Sequence, residues 1–181
     1  MKKNWSVEHL TPPAGTSIPP YPAARDFWYR TALWILAAAM LGVGSAILLR
    51  STPLADISAA VGILANALAS WMFLVWMPKW RWMVRGLALL AVVGFGVSLP
   101  FFAWGGLLAS SAIMAAKEYH CFKFWPARWI PWISLATGLV WLSGISALAG
   151  LLAILFAGLS GFWLALLLQR SKLPLFTVDA Q

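Results

Sequence analysis

Apolar residues gather in four stretches without a charged side chain, at residues 31–49, 57–77, 86–116 and 130–169. The first two have the length of one membrane crossing each. The third would make a helix ~46 Å long at ~1.5 Å per residue, against a hydrocarbon core of ~30 Å, which is too long for one straight span. Pro100, after Ser98 and before Phe101, Phe102, Trp104, Gly105 and Gly106, supplies a break, because proline lacks an N–H and disfavours helix in the residue before it. The fourth stretch suits two helices of about 18 residues. Their turn is expected near Ser143, Gly144, Ser146 and Gly150. The pattern therefore predicts an all-α transmembrane bundle of six spans, at about 31–49, 57–77, 82–99, 101–120, 130–147 and 150–169, with both termini cytoplasmic.

Between the apolar runs stand basic and aromatic collars: Arg25 to Arg30, Pro78 to Arg85, and Lys123 to Trp132. Tryptophan and arginine or lysine in such groups belong at headgroup level. A six-span chain with a cytoplasmic amino terminus puts Lys2, Lys3, Arg25, Arg30, Lys79, Arg81, Arg85, Lys117, Lys123, Arg128, Arg170 and Lys172 on the inner side and Arg50 alone outside, twelve against one. A single span over 86–116 would invert everything after it and leave seven against six. Charge distribution thus selects the reversal at Pro100.

Composition agrees with this reading. With 62% hydrophobic and 10% charged residues over 181 positions, the chain is too apolar for a soluble domain of its length. The formal charge of +8 sits at the ends of apolar runs rather than on one solvated face, so nucleic acid is not the expected partner. One cysteine, Cys121, allows no internal disulfide and no zinc site of several thiolates. Lys2 and Lys3 are not followed by an apolar run, so no secretory signal is read there. Residues 1–25, with Pro12, Pro13, Pro19, Pro20 and Pro22, read as a flexible proline-rich cytoplasmic tail. The helical domain occupies 26–172 and a short cytoplasmic tail 173–181.

Small residues at four-residue spacing, Ala38, Gly42 and Ala46 in the first span and Gly62, Asn66 and Ser70 in the second, predict close helix contacts. Asn66 lies near mid-span, where its amide needs a partner, either as interhelical glue or as a station in a polar pathway. The densest chemically capable group is Lys117, Glu118, His120 and Cys121. Lys117, His120 and Cys121 share a helix face at spacings of three and four, while Glu118 and Cys121 share an adjoining one. Metal or haem ligation lacks the paired spacing it needs, and His9, the other histidine, lies in the tail; no cofactor or metal is expected. A nucleophilic Cys121 with His120 as base has no evident acid to orient the histidine. The plainer expectation is that Lys117 reaches the headgroups and Glu118 pairs with a neighbouring collar residue, Arg85 or Arg128.

The stretch Ala115-Ala116-Lys117-Glu118-Tyr119-His120-Cys121-Phe122, with the later Leu173-Pro174-Leu175-Phe176-Thr177, resembles an uncharacterised family of bacterial polytopic integral membrane proteins classed as a domain of unknown function. The resemblance covers the last third of the chain. It implies Lys117, Glu118 and Cys121 as marked positions, and it brings no activity; the chain itself is expected in the bacterial inner membrane as a multi-pass protein. Three functions remain open from the sequence. They are a helix-contact partner or assembly factor in a membrane complex or homo-oligomer, a small transporter or channel using Asn66 and Glu118, and a membrane enzyme or redox protein centred on His120 and Cys121.

Overall fold

A computed structural model describes residues 23–73 and 78–171, and they are all-α. Six helices follow in order: α1 Ala23–Leu49, α2 Thr52–Met72, α3 Pro78–Gly96, α4 Pro100–Phe122, α5 Trp125–Ser143 and α6 Ala149–Arg170, the last introduced by a 3₁₀ turn at Ser146–Leu148. Proline opens α3, and the first turn of α2, α4 and α5 carries Pro53, Pro100 and Pro126. There the missing N–H is one the helix would leave unpaired anyway, and φ is already set for the first turn. Lys123 and Gly144 close α4 and α5 in the left-handed region, each returning its N–H to the last turn, on Tyr119 O and Trp141 O.

The predicted reversal at Pro100 is present: α3 ends at Gly96, Ser98 turns the chain at φ 56°, and Pro100 starts α4. The helices begin earlier than the apolar runs do. The Arg25 to Arg30 collar forms the opening turns of α1, and Trp125 to Trp132 those of α5, because a basic–aromatic collar is a poor lipid sequence but an ordinary helical one. Residues 23–25, expected in the flexible tail, instead start α1, while the predicted end of the second span, 74–77, and residues 1–22 and 172–181, with Lys2, Lys3, His9 and Lys172, lie outside the described residues.

Three of these helices, within Ala24–Leu49, Thr52–Met72 and Ser146–Arg170, are long and apolar enough to cross a membrane. Helices α3, α4 and α5 have a similar length, but their charged residues, Lys79, Arg81 and Arg85 in α3, Lys117 and Glu118 in α4 and Arg128 in α5, together with tryptophans and glycines, hold the mean hydropathy down.

Consecutive helices pack side by side, and α6 closes back on α1. α4 also reaches inward to α2, through Asn66 and Ser110, and to α6, through Trp104 and Phe156. Where a seam is tight, a glycine makes it so. A Cβ on Gly106 would lie 2.5 Å from Leu87 O and 2.8 Å from Ala91 N, and one on Gly94 would lie 2.6 Å from Ala103 N, so α3 and α4 meet backbone to backbone. On α1 the expected small-residue face is kept at Gly42 and at buried Ala46, but its first member is Ala39 rather than Ala38. Gly42 faces Ser58 and Ala39 faces Gly62, while Ala38 is exposed.

The pairings also fix direction. Gly42 with Ser58 and Gly94 with Ala103 are antiparallel neighbours, whereas Asn66 with Ser110 and Ser70 with Met114 run in parallel across the bundle. Asp26, Arg30, Arg85, Lys117, Glu118, Lys123 and Arg170 thereby come to one end, and Arg50 and Asp56 to the other. Elsewhere the outer surface is apolar, with Leu48, Ile57, Leu64, Leu89, Leu139 and Ile154 exposed.

Candidate functional site

The charged end holds a buried ionic cluster drawn from α1, α4 and α6. Arg170, fully buried in the last turn of α6, donates from Nη1 to Glu118 Oε2 at 2.5 Å and from Nη2 to Asp26 Oδ1 at 2.8 Å. One guanidinium therefore binds two carboxylates from two other helices, a use its planar fork of donors suits. Each carboxylate has a second cation. Arg30, one turn after Asp26, brings Nε to 2.5 Å from Asp26 Oδ2, an ion pair of proximity rather than of aligned hydrogen-bond geometry. Lys117 Nζ lies 3.4 Å from Glu118 Oε1, to which the Tyr29 hydroxyl also donates at 3.2 Å. The rings of Tyr29 and Phe122 lie 5.4 and 5.5 Å from the Arg170 guanidinium carbon.

The helical spacing explains the assembly. Asp26, Tyr29 and Arg30 fall on one face at intervals of three and four, which points all three at the α1–α6 and α1–α4 contacts. Glu118 continues the inward stripe of α4, through Leu107, Ser110, Ser111, Met114 and Ala115, all buried. Charges removed from water at such a place are held only when paired and hydrogen-bonded, as these are.

Glu118 thus has a basic partner, but a different one from those expected. Arg85 donates instead to Trp71 O at 3.0 Å and lies between the Trp71 and Trp82 rings, and Arg128 lies against Trp129. The sequence pointed to the collars on either side of α4, whereas the bundle brings the end of α6 beside the end of α4. Lys117 turns to Glu118 and to the Phe73 and Phe122 rings, at 5.9 and 5.0 Å. The four-residue group is split by its helix: Glu118 points inward, His120 is exposed, and Cys121 stands at the rim between them. Among the described residues no three of His, Cys, Asp and Glu come together as a metal site.

Asn66 has found its partner on α4. Its Nδ2 donates to Ser110 Oγ at 2.7 Å, and Ser110 passes its own proton to Gly106 O at 2.7 Å. Since that hydroxyl has one proton, it faces the amide as an acceptor, and the Asn66 Oδ1 is left without a donor. One turn further, Ser70 meets Met114 Sδ at 3.9 Å. The last carbonyls of α2 are taken up from outside the helix. Arg25 donates to Trp71 O, Met72 O and Phe73 O, and Arg85 to Trp71 O, which satisfies a helix end that has no basic residue of its own.

Asp26, Tyr29, Arg30 and Arg170 are the members of the cluster that sequence reasoning missed as a group. Asp26 offered a signal, being a lone acid inside a basic collar four residues before Arg30. Arg170 at the close of an apolar run read as a topological anchor, and nothing local distinguishes an anchor from a buried clasp. No family model, curated protein or solved structure matches this chain.

Proposed function

We propose that the chain is a six-span inner-membrane protein with both termini cytoplasmic, acting through helix contacts as a partner or assembly factor for a membrane complex. The observation that carries this reading is the burial of Glu118 among three donors from three helices. A fully buried carboxylate held by Arg170, Lys117 and Tyr29 together acts as a structural clasp between helices rather than as a group presented to a substrate. The apolar outer face supports the bilayer, and the gathering of basic residues at one end supports the orientation. Extraction from the native membrane in mild detergent, followed by quantitative mass spectrometry, tests the role. A second membrane protein in fixed stoichiometry is the expected result, and the chain recovered alone or only with itself overturns it.

A second reading, a small transporter or channel, is favoured by one observation. Asn66, Ser110 and Ser70 form a polar line between α2 and α4 that leads toward Lys117 and Glu118, and Asn66 Oδ1 on that line is unpartnered. In proteoliposomes this reading requires solute or ion flux that Asn66→Leu and Glu118→Gln each abolish while the protein stays folded. Absent flux in the parent protein rejects it.

A further inference from the structure

The positive charge at the cluster end is divided unequally around the bundle. Three carboxylates are described, and Asp56 stands at the opposite end. The other two, Asp26 and Glu118, are drawn inward to Arg30, Arg170 and Lys117 on the α1, α4 and α6 side. The flank made by the start of α3, the end of α4 and the start of α5 therefore carries Lys79, Lys123 and Arg128, all exposed, with no described carboxylate paired to any of them. These elements adjoin, since α3 packs on α4 and α4 on α5. The cations are interleaved with exposed tryptophans, Trp80 and Trp82 on α3 and Trp125, Trp129 and Trp132 on α5. Aromatic contacts hold two of the cations at the surface: Arg128 lies 5.9 Å from the Trp129 ring centre, and Lys123 5.5 Å from that of Tyr119.

We infer that this flank is a binding surface for anionic phospholipid headgroups. The inference rests on the membrane reading above. Its chemistry is a phosphodiester with no headgroup cation of its own, met by a row of exposed cations, while the tryptophan rings settle at the glycerol level of the same lipids. On the α1–α6 side Arg30 and Arg170 are turned to Asp26 and Glu118, and Arg25 is engaged by the Trp71, Met72 and Phe73 carbonyls, so fewer cations there stand exposed and unmatched. Lipid composition should therefore be read mainly on the α3–α4–α5 side of the bundle.

Purified full-length protein in a neutral detergent, titrated with phosphatidylglycerol or phosphatidylcholine, tests this by native mass spectrometry and by thermal unfolding. Phosphatidylglycerol is expected to be retained and to raise the Tm, phosphatidylcholine to do neither to a comparable degree, and inorganic phosphate not to substitute. The triple variant Lys79→Gln/Lys123→Gln/Arg128→Gln should weaken phosphatidylglycerol binding by at least about tenfold, with Arg50→Gln as an unchanged control. Equal retention of the two lipids by the parent, a triple variant that binds like the parent, or an effect reproduced by inorganic phosphate overturns the inference. The measurement is made on isolated protein, so an absent protein partner, which would defeat the assembly role, leaves its outcome untouched.

Discussion

At the scale of single residues, Arg170 decides how α1, α4 and α6 are held together. Its removal leaves Asp26 with Arg30 but deprives buried Glu118 of its closest cation, and breaking a buried pair from one side costs about 3–5 kcal/mol. Arg170→Met should therefore lower the Tm in detergent sharply. Arg170→Met combined with Glu118→Leu should recover much of the loss, because no uncompensated charge then stays inside. Thermal unfolding of the two single variants and the double variant checks this, and additive losses would show that the residues do not act as a pair. The sequence disclosed Glu118 as an acid in need of a partner, from its place at the end of an apolar run. It could not disclose the partner, since a contact between residues 52 positions apart depends on how six helices are arranged.

At the scale of elements, the α3–α4 hairpin gives the clearest link from sequence to structure. Its corner was legible because a charge-free run too long for one span contained a proline, and both facts are local. Which glycine of Gly105-Gly106 matters was not, because the two differ only in the direction each faces. Gly106 lies against the backbone of α3, with Leu87 O and Ala91 N where a methyl group would go, whereas a Cβ on Gly105 would meet nothing within 4 Å. Gly106→Ala should push α3 and α4 apart and lower the Tm. Gly105→Ala should leave it unchanged or raise it, since replacing a mid-helix glycine with alanine recovers roughly 0.5–1 kcal/mol. Circular-dichroism melts of both variants test the assignment, and equal effects would mean that the helices do not meet at Gly106. The same reasoning explains why Ala39 rather than Ala38 joins Gly42 and Ala46 in the α1 seam. A four-residue spacing of small side chains marks a seam, but Ala39 and Ala38 are both small, and only packing against Gly62 chooses between them.

At the scale of the whole molecule, the arrangement has a direct consequence for topology. Antiparallel neighbours bring Lys79, at the start of α3, and Lys123, just after α4, to the same end, while Thr52, at the start of α2, lies at the other. On a Cys121→Ser background the chain has no other thiol, so one introduced cysteine reports one position. In cells with a permeable outer envelope and a sealed inner membrane, Thr52→Cys should react with a membrane-impermeant maleimide. Lys79→Cys and Lys123→Cys should react only after the inner membrane is opened. Lys79 and Lys123 form the decisive pair because the α3–α4 hairpin lies between them. If they label from opposite sides, the corner at Pro100 does not return the chain across the bilayer. Glu118 would then sit at the face opposite the start of α1, out of reach of Tyr29 and of the Asp26 that shares Arg170 with it. Labelling of both from the inner side instead ties the charge asymmetry of the sequence and the ionic clasp of the fold to one event, since the reversal that collects the cations also delivers the carboxylates to them.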